Sequence, residues 1–263
     1  MQDRHTNKEK YFKEQIITTE KHVIPFIQNL VEINSTLKVA EIGCGEGGNL
    51  KPFLDIGCKV TGIDISESKI ENAKKYFSNH KNTNNINLIC DDIYNITHSY
   101  TGKFDLIIMR DAFEHIQNQD YFMNHIKNFL LHNGKIFFSF PPRQMPFGGH
   151  QQICKSKILD KLPYFHLLPK FWYKYILKIS GESDETINGL LEIKQTGISI
   201  EKFKKIIKKN KYIIEKEEYY FINPNYEVKF NIKKKKLLKI FNLNYLRNFY
   251  TTNYYCIVSV KVN

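Results

Sequence analysis

The 263-residue chain contains no run of about 20 apolar residues, so no segment is expected to cross a membrane as a helix. The polar opening MQDRHTNKEK also lacks the apolar stretch of a secretory signal peptide. The five cysteines are scattered and show no C-x-x-C spacing, which disfavours both a disulfide framework and a zinc site. We therefore expect a cytoplasmic protein with reduced thiols.

Arginine and alanine are scarce, with 4 Arg against 35 Lys and only 3 Ala. An AT-rich coding sequence would explain the preference for lysine, but it does not explain where the charge lies. The net charge is −1 over residues 1–140 and +13 over residues 141–263. Because basic surfaces attract anions, we expect the second part to face an anionic substrate, an anionic membrane surface or nucleic acid.

The string VAEIGCGEGG at positions 39–48 predicts a buried strand that runs into a glycine-rich turn and then a helix. Glycines allow a tight turn and a close approach to a ligand, and the amides that open the next helix are expected to face that ligand. The glycines alone also satisfy the G-x-G-x-x-G dinucleotide pattern. Glu41, two residues before the first glycine, favours a ligand with an ammonium group and no phosphate, such as S-adenosylmethionine (SAM).

With four further segments in the same order, the chain resembles the class I SAM-dependent methyltransferases. These segments are VTGIDIS at 60–66, LICDDIYNI at 88–96, KFDLIIMRDAFEHI at 103–116 and LHNGKIFFSFPP at 131–142. The cofactor-binding residues that this resemblance implies are Glu41, Gly43, Cys44, Gly45, Gly47, Asp64, Ile65, Asp92, Ile93 and Arg110.

Two acids at strand ends have separate roles in this interpretation. Asp64, about 20 residues past the glycine turn, is expected to accept hydrogen bonds from the ribose hydroxyls. In the family, a carboxylate after the third strand holds the adenine amino group. Asp92 is favoured because Ile96 then aligns with the family's apolar residue four places on, and Asp91 is the alternative. For Glu41 and Asp64 the structural alternative is a carboxylate that caps neighbouring amides.

Cys44 lies within the glycine turn, where it is expected to pack or to offer its backbone. Nothing in the neighbouring sequence would activate its thiol as a nucleophile.

Strands and helices alternate along the chain as in an α/β fold. We predict a doubly wound, seven-stranded Rossmann-like sheet, mostly parallel with an antiparallel last strand, and an inserted helical, aromatic cap. Helices are expected at 9–33, 48–56, 67–78 and 118–131, with another after a Ser199 cap. The predicted divisions are an N-terminal helical lid at 1–36, a SAM-binding core at 37–140, a substrate-side cap at 141–198 and a completion of the sheet at 199–263 that includes a basic extension at 224–248.

Methyl transfer from SAM is an in-line displacement with an excellent leaving group, so the protein mainly supplies positioning, and a base if the acceptor is a hydroxyl. His150, His115 and Asp111 follow strands five and four and are the candidate catalytic residues; structural histidines are the alternative. Asp111, Glu114 and His115 also resemble the E-x-x-E-H metal motif of ubiquinone-biosynthesis O-methyltransferases. Aspartate replaces the first glutamate of that motif, and we assign no metal ligand.

The expected reaction is O-methylation of a small or lipid-linked, anionic acceptor. MRDAF, at 109–113, stands where exocyclic-amine methyltransferases of DNA and RNA carry an N/D-P-P-Y/F motif, which disfavours nucleic acid as a partner. Two alternatives stay open: an RNA-directed methyltransferase, and a SAM-binding protein whose basic C-terminal region docks on a membrane or a partner. The sequence also raises peripheral membrane contact, and it leaves the oligomeric state undetermined.

Overall fold

The computed structural model describes residues 7–261. Residues 1–6 and 262–263, which the predicted lid and last strand include, lie outside the described residues. Eight strands form a single sheet. They are β1 (Lys38–Ile42), β2 (Lys59–Asp64), β3 (Ile86–Cys90), β4 (Phe104–Arg110), β5 (Leu130–Phe140), β6 (Tyr212–Ile222), β7 (Lys235–Lys236) and β8 (Asn253–Val260).

The spatial order of the strands is β3-β2-β1-β4-β5-β8-β6-β7. Strands β1 to β5 are parallel, and β8 lies antiparallel between β5 and β6. This arrangement confirms the predicted Rossmann-like sheet with an antiparallel final strand. The structure adds an eighth strand, the two-residue β7, which pairs with the end of β6. Because β1 to β5 are parallel, their carboxyl ends and the loops that follow them lie along one edge of the sheet.

The predicted N-terminal helix at 9–33 is divided into three segments. These are α1 (Lys8–Thr18), a π-helical turn (Thr19–Val23) and α2 (Ile24–Ile27). Pro25 cannot donate a backbone hydrogen bond, and the wider π turn directly precedes it. The helical region ends at Ile27, six residues earlier than predicted.

Most of the remaining helices lie close to their predicted positions or within the cap and C-terminal regions; the four-residue helix Thr97–Tyr100, in the core, was not predicted. They are α3 (Lys51–Ile56), α4 (Glu67–Phe77), α5 (Thr97–Tyr100), α6 (Gln119–Ile126), α7 (Lys170–Ile179), α8 (Asp184–Thr196), α9 (Ile200–Lys209), α10 (Asn225–Phe230) and α11 (Arg247–Tyr250). Ser199 caps α9 as predicted, because its hydroxyl oxygen accepts a hydrogen bond from the Lys202 amide at 3.1 Å.

The Asn133-Gly134 pair is a sequence typical of tight turns, but it lies inside β5. Asn133 has a φ of +66°, and the pairing of β5 with β4 shifts register between Phe104 and Leu106. Asn and Gly adopt positive φ at low cost, so the pair forms an irregularity within the strand and not a separate turn.

Three apolar clusters stabilise the molecule. Two cover the opposite faces of the sheet, one around Phe113, Phe138 and Phe203 and the other around Phe53 and Phe137. The third belongs to the cap and consists of Cys154, Leu159, Phe165, Tyr173, Leu177, Ile187 and Leu190. The cap thus has a small core of its own. Over residues 7–261, no helix is both long and apolar enough to cross a membrane.

Candidate active site

The backbone amides of the glycine turn after β1 donate hydrogen bonds to the end of β2. The amides of Gly43 and Cys44 both donate to the Ile63 carbonyl, at 2.8 and 3.1 Å, and the Gly45 amide donates to Asp64 Oδ2 at 2.8 Å. These three donors therefore hold β1 against β2. Helix α3 does not begin until Lys51, so the expected row of helix amides directly behind the glycines is not formed.

Gly48 faces the N-terminal helix and not the cofactor side. A Cβ at this position would lie 2.6 Å from Gln15 Oε1 and 2.8 Å from the Phe12 carbonyl oxygen. Gly47 has a φ of +81°, and a Cβ there would lie 2.9 Å from the Phe77 ring. The last two glycines of the turn are thus required by close packing of α1 and α4.

Glu41 and Arg110 belong to a buried polar network at the ends of β1 and β4. Asn49 Nδ2 donates to Glu41 Oε1 at 2.6 Å, and Arg110 Nη1 donates to Asn49 Oδ1 at 2.5 Å. The Thr19 hydroxyl also donates to Asn49 Oδ1, at 3.0 Å, which connects the N-terminal region to the sheet. Glu41 Oε2 and Arg110 Nε have no hydrogen-bond partner among residues 7–261.

Burial raises the pKa of Glu41 to about 8, against the opposing effects of the Asn49 hydrogen bond and the Arg110 guanidinium. Within residues 7–261 the network therefore leaves a carboxylate oxygen, Glu41 Oε2, and a guanidinium N–H, on Arg110 Nε, without a partner. This donor and acceptor set fits the ammonium and carboxylate of an amino acid moiety.

Asp64 lies at the end of β2, as predicted, and is buried. Its two oxygens accept hydrogen bonds from the Gly45 and Ser66 amides, at 2.8 and 2.9 Å. The structural alternative, a carboxylate that organises neighbouring amides, is therefore present in this structure. Each carboxylate oxygen has a second lone pair, so these bonds leave Asp64 able to accept from a ligand.

The two acids after β3 differ in their surroundings. Asp91 Oδ1 accepts from the Asp92 amide at 2.7 Å and from Asn95 Nδ2 at 2.8 Å. Asp92 is more exposed, and its Oδ1 accepts from the Tyr94 amide at 3.0 Å. Asp92 thus has the more accessible carboxylate of the two.

The apolar residues of the predicted cofactor set divide into two groups. Ile65 is largely exposed directly after β2, whereas Ile93 is buried in the sheet core. The Cys44 thiol is also buried, and burial raises its pKa well above the ordinary value. Side chains of Ile93 and Cys44 are therefore unavailable to a ligand, which could meet only their backbone.

A cavity of about 500 Å³ opens at the carboxyl edge of the sheet. This volume is within the range of small-molecule sites. All three candidate catalytic residues, Asp111, His115 and His150, line it. Glu41, Asp64, Asp92 and Arg110 do not line it. The structure thus brings the candidate bases together in one cavity, next to the predicted cofactor residues: Arg110 directly precedes Asp111, and the Asp111 charge acts on Glu41.

The imidazole rings of His115 and His150 lie 5.3 Å apart, centre to centre, at an angle of 78°. Desolvation by the cavity walls lowers the pKa of His115 below its ordinary value near 6.5, although the nearby Asp111 carboxylate opposes this change. His115 keeps accessible surface because its ring faces the cavity. It is therefore mostly neutral at pH 7 and can accept a proton.

Asp111 and His150 adopt left-handed backbone conformations, with φ of +51° and +56°. Such conformations cost about 1 to 3 kcal/mol for residues other than glycine and cluster at functional sites. The Asp111 amide donates to the Ser139 carbonyl at 2.8 Å, which fixes the turn after β4 to β5.

Glu114, His115 and His150 offer ligand atoms that all lie within 4.8 Å of one another. Glu114 is buried, and neither of its carboxylate oxygens has a hydrogen-bond partner in the described part of the chain. Burial, together with the Asp111 charge, raises its pKa well above the ordinary value. Of the three residues that resemble the E-x-x-E-H motif, Glu114 and His115 thus lie in this group together with His150, and Asp111 does not.

His166 is fully buried, and its Nε2 donates to the Arg143 carbonyl at 2.6 Å. Burial lowers its pKa to about 4. The His166 ring thus bonds the cap to the loop after β5.

Several cavity residues were not identified from the sequence. Lys8 and Tyr11 of α1, Lys69 of α4 and Lys229 of α10 line the walls, together with Glu46, Met145, Phe147, Gln152, Ile153, Asn223, Asn225, Tyr226, Phe230 and Thr252. The N-terminal region was expected to be a lid and the basic region to face the substrate, but the polar side chains that they contribute belong to no motif. Only the α10 part of the extension at 224–248 lines the cavity.

A family model described as a methyltransferase domain matches residues 15–171. The chain is 30% identical over 166 residues to the ubiquinone biosynthesis O-methyltransferase of Coxiella burnetii, which covers 63% of this chain and 60% of that relative. It is 30% identical over 203 residues to malonyl-(acyl-carrier protein) O-methyltransferase 2 of Ilyobacter polytropus, covering 76% of this chain and 63% of that relative. The chain therefore spans roughly 60% of the length of these curated relatives.

Solved structures share the fold. Phosphoethanolamine N-methyltransferase 2 of Haemonchus contortus, in complex with phosphomonomethylethanolamine and S-adenosylhomocysteine, gives a TM-score of 0.58 at 14% identity. The match covers 99% of this chain and 58% of that chain. At this level of identity the likeness concerns the fold alone.

Proposed function

Because the chain belongs to the methyltransferase domain family, with the class I SAM-dependent fold, we propose that it transfers the methyl group of SAM to an oxygen of a small, anionic acceptor. The observation that supports this most is the meeting of Asp111, His115 and His150 in one cavity at the carboxyl edge of the sheet. Ligands of open α/β sheets bind outside this edge, where the strand order reverses.

The cofactor part of the proposal assigns the methionine moiety to the Glu41 and Arg110 network. The free Glu41 oxygen would hold the ammonium group, and the free Arg110 N–H would hold the carboxylate. Asp64 would accept from the ribose hydroxyls and Asp92, the more accessible acid, from the adenine amino group. SAM supplies an activated methyl group when bound, so the residues around the acceptor need only orient it and remove a proton.

The base of the proposed reaction is His115 or His150. A neutral imidazole in a partly desolvated cavity can accept the hydroxyl proton as the acceptor oxygen attacks the methyl carbon. The Asp111 carboxylate lies near enough to raise the pKa of His115, so it would stabilise the imidazolium that forms. Both named relatives are O-methyltransferases, which supports oxygen over nitrogen as the attacking atom.

The anionic character of the acceptor rests on the cations of the cavity walls. Lys8, Lys69 and Lys229 come from three different helices and converge on the same cavity. Glu46, Asp111 and Glu114 also line it, so the wall carries both signs of charge. A carboxylate or phosphate on the acceptor would meet the lysines, while its hydroxyl would approach the histidines.

The proposal is tested by calorimetric titration with SAM, followed by mass spectrometry of a cell extract incubated with the protein and methyl-labelled SAM. Asp64→Ala removes a charge-assisted acceptor worth roughly 1.5 to 3 kcal/mol per hydrogen bond, so SAM affinity should fall at least tenfold. Glu67→Gln, an exposed acid at the start of α4, is the control and should bind normally. Unchanged affinity in a folded Asp64→Ala protein, or no labelled product, would contradict the proposal.

A further inference from the structure

Helix α7 of the cap exposes a continuous stripe of large apolar side chains. Phe171, Tyr175 and Ile179 are spaced four residues apart, so they share one side of the helix, with Trp172 beside them. Their exposed fractions are 71%, 50%, 64% and 54%. We call these four side chains the aromatic face. Soluble proteins rarely present such a set without a binding role.

The outward orientation of this face is fixed by the other side of the helix. Tyr173 and Leu177 are fully buried in the cap core, where the Tyr173 ring lies 4.8 Å from that of Phe165. The exposed rings also contact one another, with 5.5 Å between the Phe171 and Trp172 centroids. The face is therefore a preformed surface of a packed helix.

A second stripe, of lysines, runs alongside the aromatic face. Lys170, Lys174 and Lys178 are also spaced four residues apart and are all exposed. The chain contains no acidic residue between Asp160 and Glu182. Glu182 is itself buried and accepts hydrogen bonds from the Lys155 and Ser156 amides. The segment 161–181, which contains α7, thus carries positive charge with no acid of its own, and the nearest exposed acids in sequence, Asp184 and Glu185, begin the next helix, α8.

We propose that α7 docks the protein on the surface of an anionic lipid bilayer. A helix with one apolar and one cationic stripe lies in the membrane interface, with its rings among the headgroups and its lysines against anionic lipids. Tryptophan and tyrosine are the side chains that favour this depth. A protein partner with a plain apolar groove would leave the adjacent lysine stripe without counter-charges, which is why the bilayer is the favoured occupant.

The surface extends beyond α7. Tyr164, which is also exposed, contacts Phe249 through ring centroids 6.3 Å apart, and its hydroxyl donates to the Phe249 carbonyl at 3.4 Å. Phe249 belongs to the 238–250 segment, whose exposed apolar side chains include Leu238, Ile240, Phe241, Leu243, Tyr245 and Leu246. The two exposed regions therefore meet at Tyr164 and Phe249.

The docking surface is also joined to the cavity. The Tyr164 amide donates to the Pro146 carbonyl at 2.7 Å, and Met145 and Phe147, on either side of Pro146, line the cavity. A bilayer contact would therefore act on a segment directly bonded to the cavity loop. The inference does not depend on the identity of the methyl acceptor, because it concerns the outer side of the cap.

The chain contains one tryptophan, Trp172, so its fluorescence reports on this face alone. We expect the full chain to co-sediment with phosphatidylglycerol vesicles at low salt and to bind pure phosphatidylcholine vesicles far more weakly. Trp172 emission should shift to the blue on binding and be quenched by lipids with brominated acyl chains.

Charge variants distinguish binding through the α7 lysines from a general attraction of the basic protein to anionic lipid. Converting Lys170, Lys174 and Lys178 to Gln should lower the partition coefficient on the order of a hundredfold, since each lysine near an anionic surface contributes about fivefold. Converting the exposed Lys202, Lys205 and Lys208 of α9 to Gln removes the same charge elsewhere and should have a much smaller effect. Phe171→Ser should weaken binding, whereas Tyr121→Ser, at an exposed tyrosine of α6, should not.

Three outcomes would overturn the proposal. The first is no binding to phosphatidylglycerol vesicles. The second is binding without a change in Trp172 emission, or an equal loss of vesicle binding in the two triple lysine variants. Either result would mean that another face of the protein contacts the bilayer. The third is a blue shift that grows with protein concentration without lipid, together with a dimer in sedimentation velocity, because α7 would then be covered by a second copy of the chain. SAM titration of each variant shows that it is folded and keeps this result separate from the proposed methyl transfer.

Discussion

At the scale of single residues, Glu41 is the clearest case of a side chain held in a costly state. It is buried, one of its oxygens has no partner among the residues that the structure describes, and burial raises its pKa to about 8. At pH 7 the group is therefore mostly protonated. An ammonium group placed beside it would favour the carboxylate form and lower this pKa.

Cofactor binding should consequently release a proton near pH 7. Because the free-state pKa is above the bound-state pKa, affinity for SAM should increase with pH up to about pH 8. Calorimetry in two buffers of different ionisation enthalpy counts the protons released. Glu41→Gln should lower the number of protons released by nearly one per SAM bound. SAM itself contributes equally in both proteins, so the difference between them reports on Glu41. An equal count in both proteins would place the ammonium group elsewhere.

The two cavity histidines allow a second prediction at this scale. Replacing the true base, His115 or His150, with Gln should lower turnover by about 10²- to 10⁴-fold and leave SAM affinity nearly unchanged. If His115 is the base, the wild-type rate should increase with pH on an acid limb whose midpoint is below 6.5, because desolvation lowers its pKa. The pH profile of turnover is the measurement.

Two results would change this assignment. Near-normal turnover in the double variant would mean that proximity or Asp111 suffices. Loss of turnover on chelation, restored by a divalent ion, would make Glu114, His115 and His150 ligands of a metal, since their ligand atoms lie within 4.8 Å of one another.

At the scale of elements, the N-terminal helix α1 is fitted to the glycine turn at Gly48. The Cβ of an alanine there would lie within 3 Å of both Gln15 and the Phe12 carbonyl, and Thr19 donates to Asn49 one residue on. Helix α10 packs on the same region, with the Thr18 hydroxyl donating to Asn225 Oδ1 at 3.2 Å. Docking of α1 is therefore coupled to the geometry of the turn and the cavity.

Gly48→Ala should lower the free energy of unfolding by about 1 to 3 kcal/mol through overpacking, and should weaken SAM binding as α1 moves. Gly189→Ala in α8 is a matched control, because nothing lies within 4 Å of the added Cβ. There the helix propensity of alanine should stabilise the protein by up to about 1 kcal/mol. Thermal and denaturant unfolding give both values. A Gly48→Ala protein as stable as the wild type would show that α1 adjusts freely.

At the scale of the whole molecule, the charge is divided between the two parts of the chain, −1 before residue 141 and +13 after it. The structure distributes the excess over several surfaces: α7, α9 and the strand β7 carry exposed lysines, while Lys229 lines the cavity. Of these lysines, only Lys229 can act directly on a small acceptor in the cavity.

The Michaelis constant for an anionic acceptor should therefore increase with salt, because exposed charges are screened over about 8 Å at physiological ionic strength. Lys229→Gln should raise this constant at low salt and flatten its salt dependence, whereas Lys202→Gln, outside the cavity, should leave both unchanged. Steady-state kinetics with the labelled acceptor provide the test. A constant that is flat from low to high salt would argue against an anionic acceptor.

The sequence by itself determined the order of the elements and the identity of the sheet. Strands β1 to β4 are short apolar runs that end at a glycine or an acid, and β5 is an apolar run that ends at two prolines. Such patterns are local, so they can be recognised without knowledge of the tertiary packing. The Ser199 cap and the positions of Glu41 and Asp64 at strand ends follow from the same local rules. The place of the Asn133-Gly134 pair inside β5 does not follow from such local rules, because its register depends on the neighbouring strand β4.

Tertiary structure alone decided what each site residue faces. Gly48 meets α1 and not a ligand, Ile93 belongs to the core, and Lys229 reaches the cavity from a region remote in sequence. His150 meets His115 because the loop after β5 folds back over the end of β4. The exposure of Phe171 and Trp172 likewise depends on which side of α7 the cap core buries. These contacts join segments far apart in the chain, so no local pattern of residues encodes them.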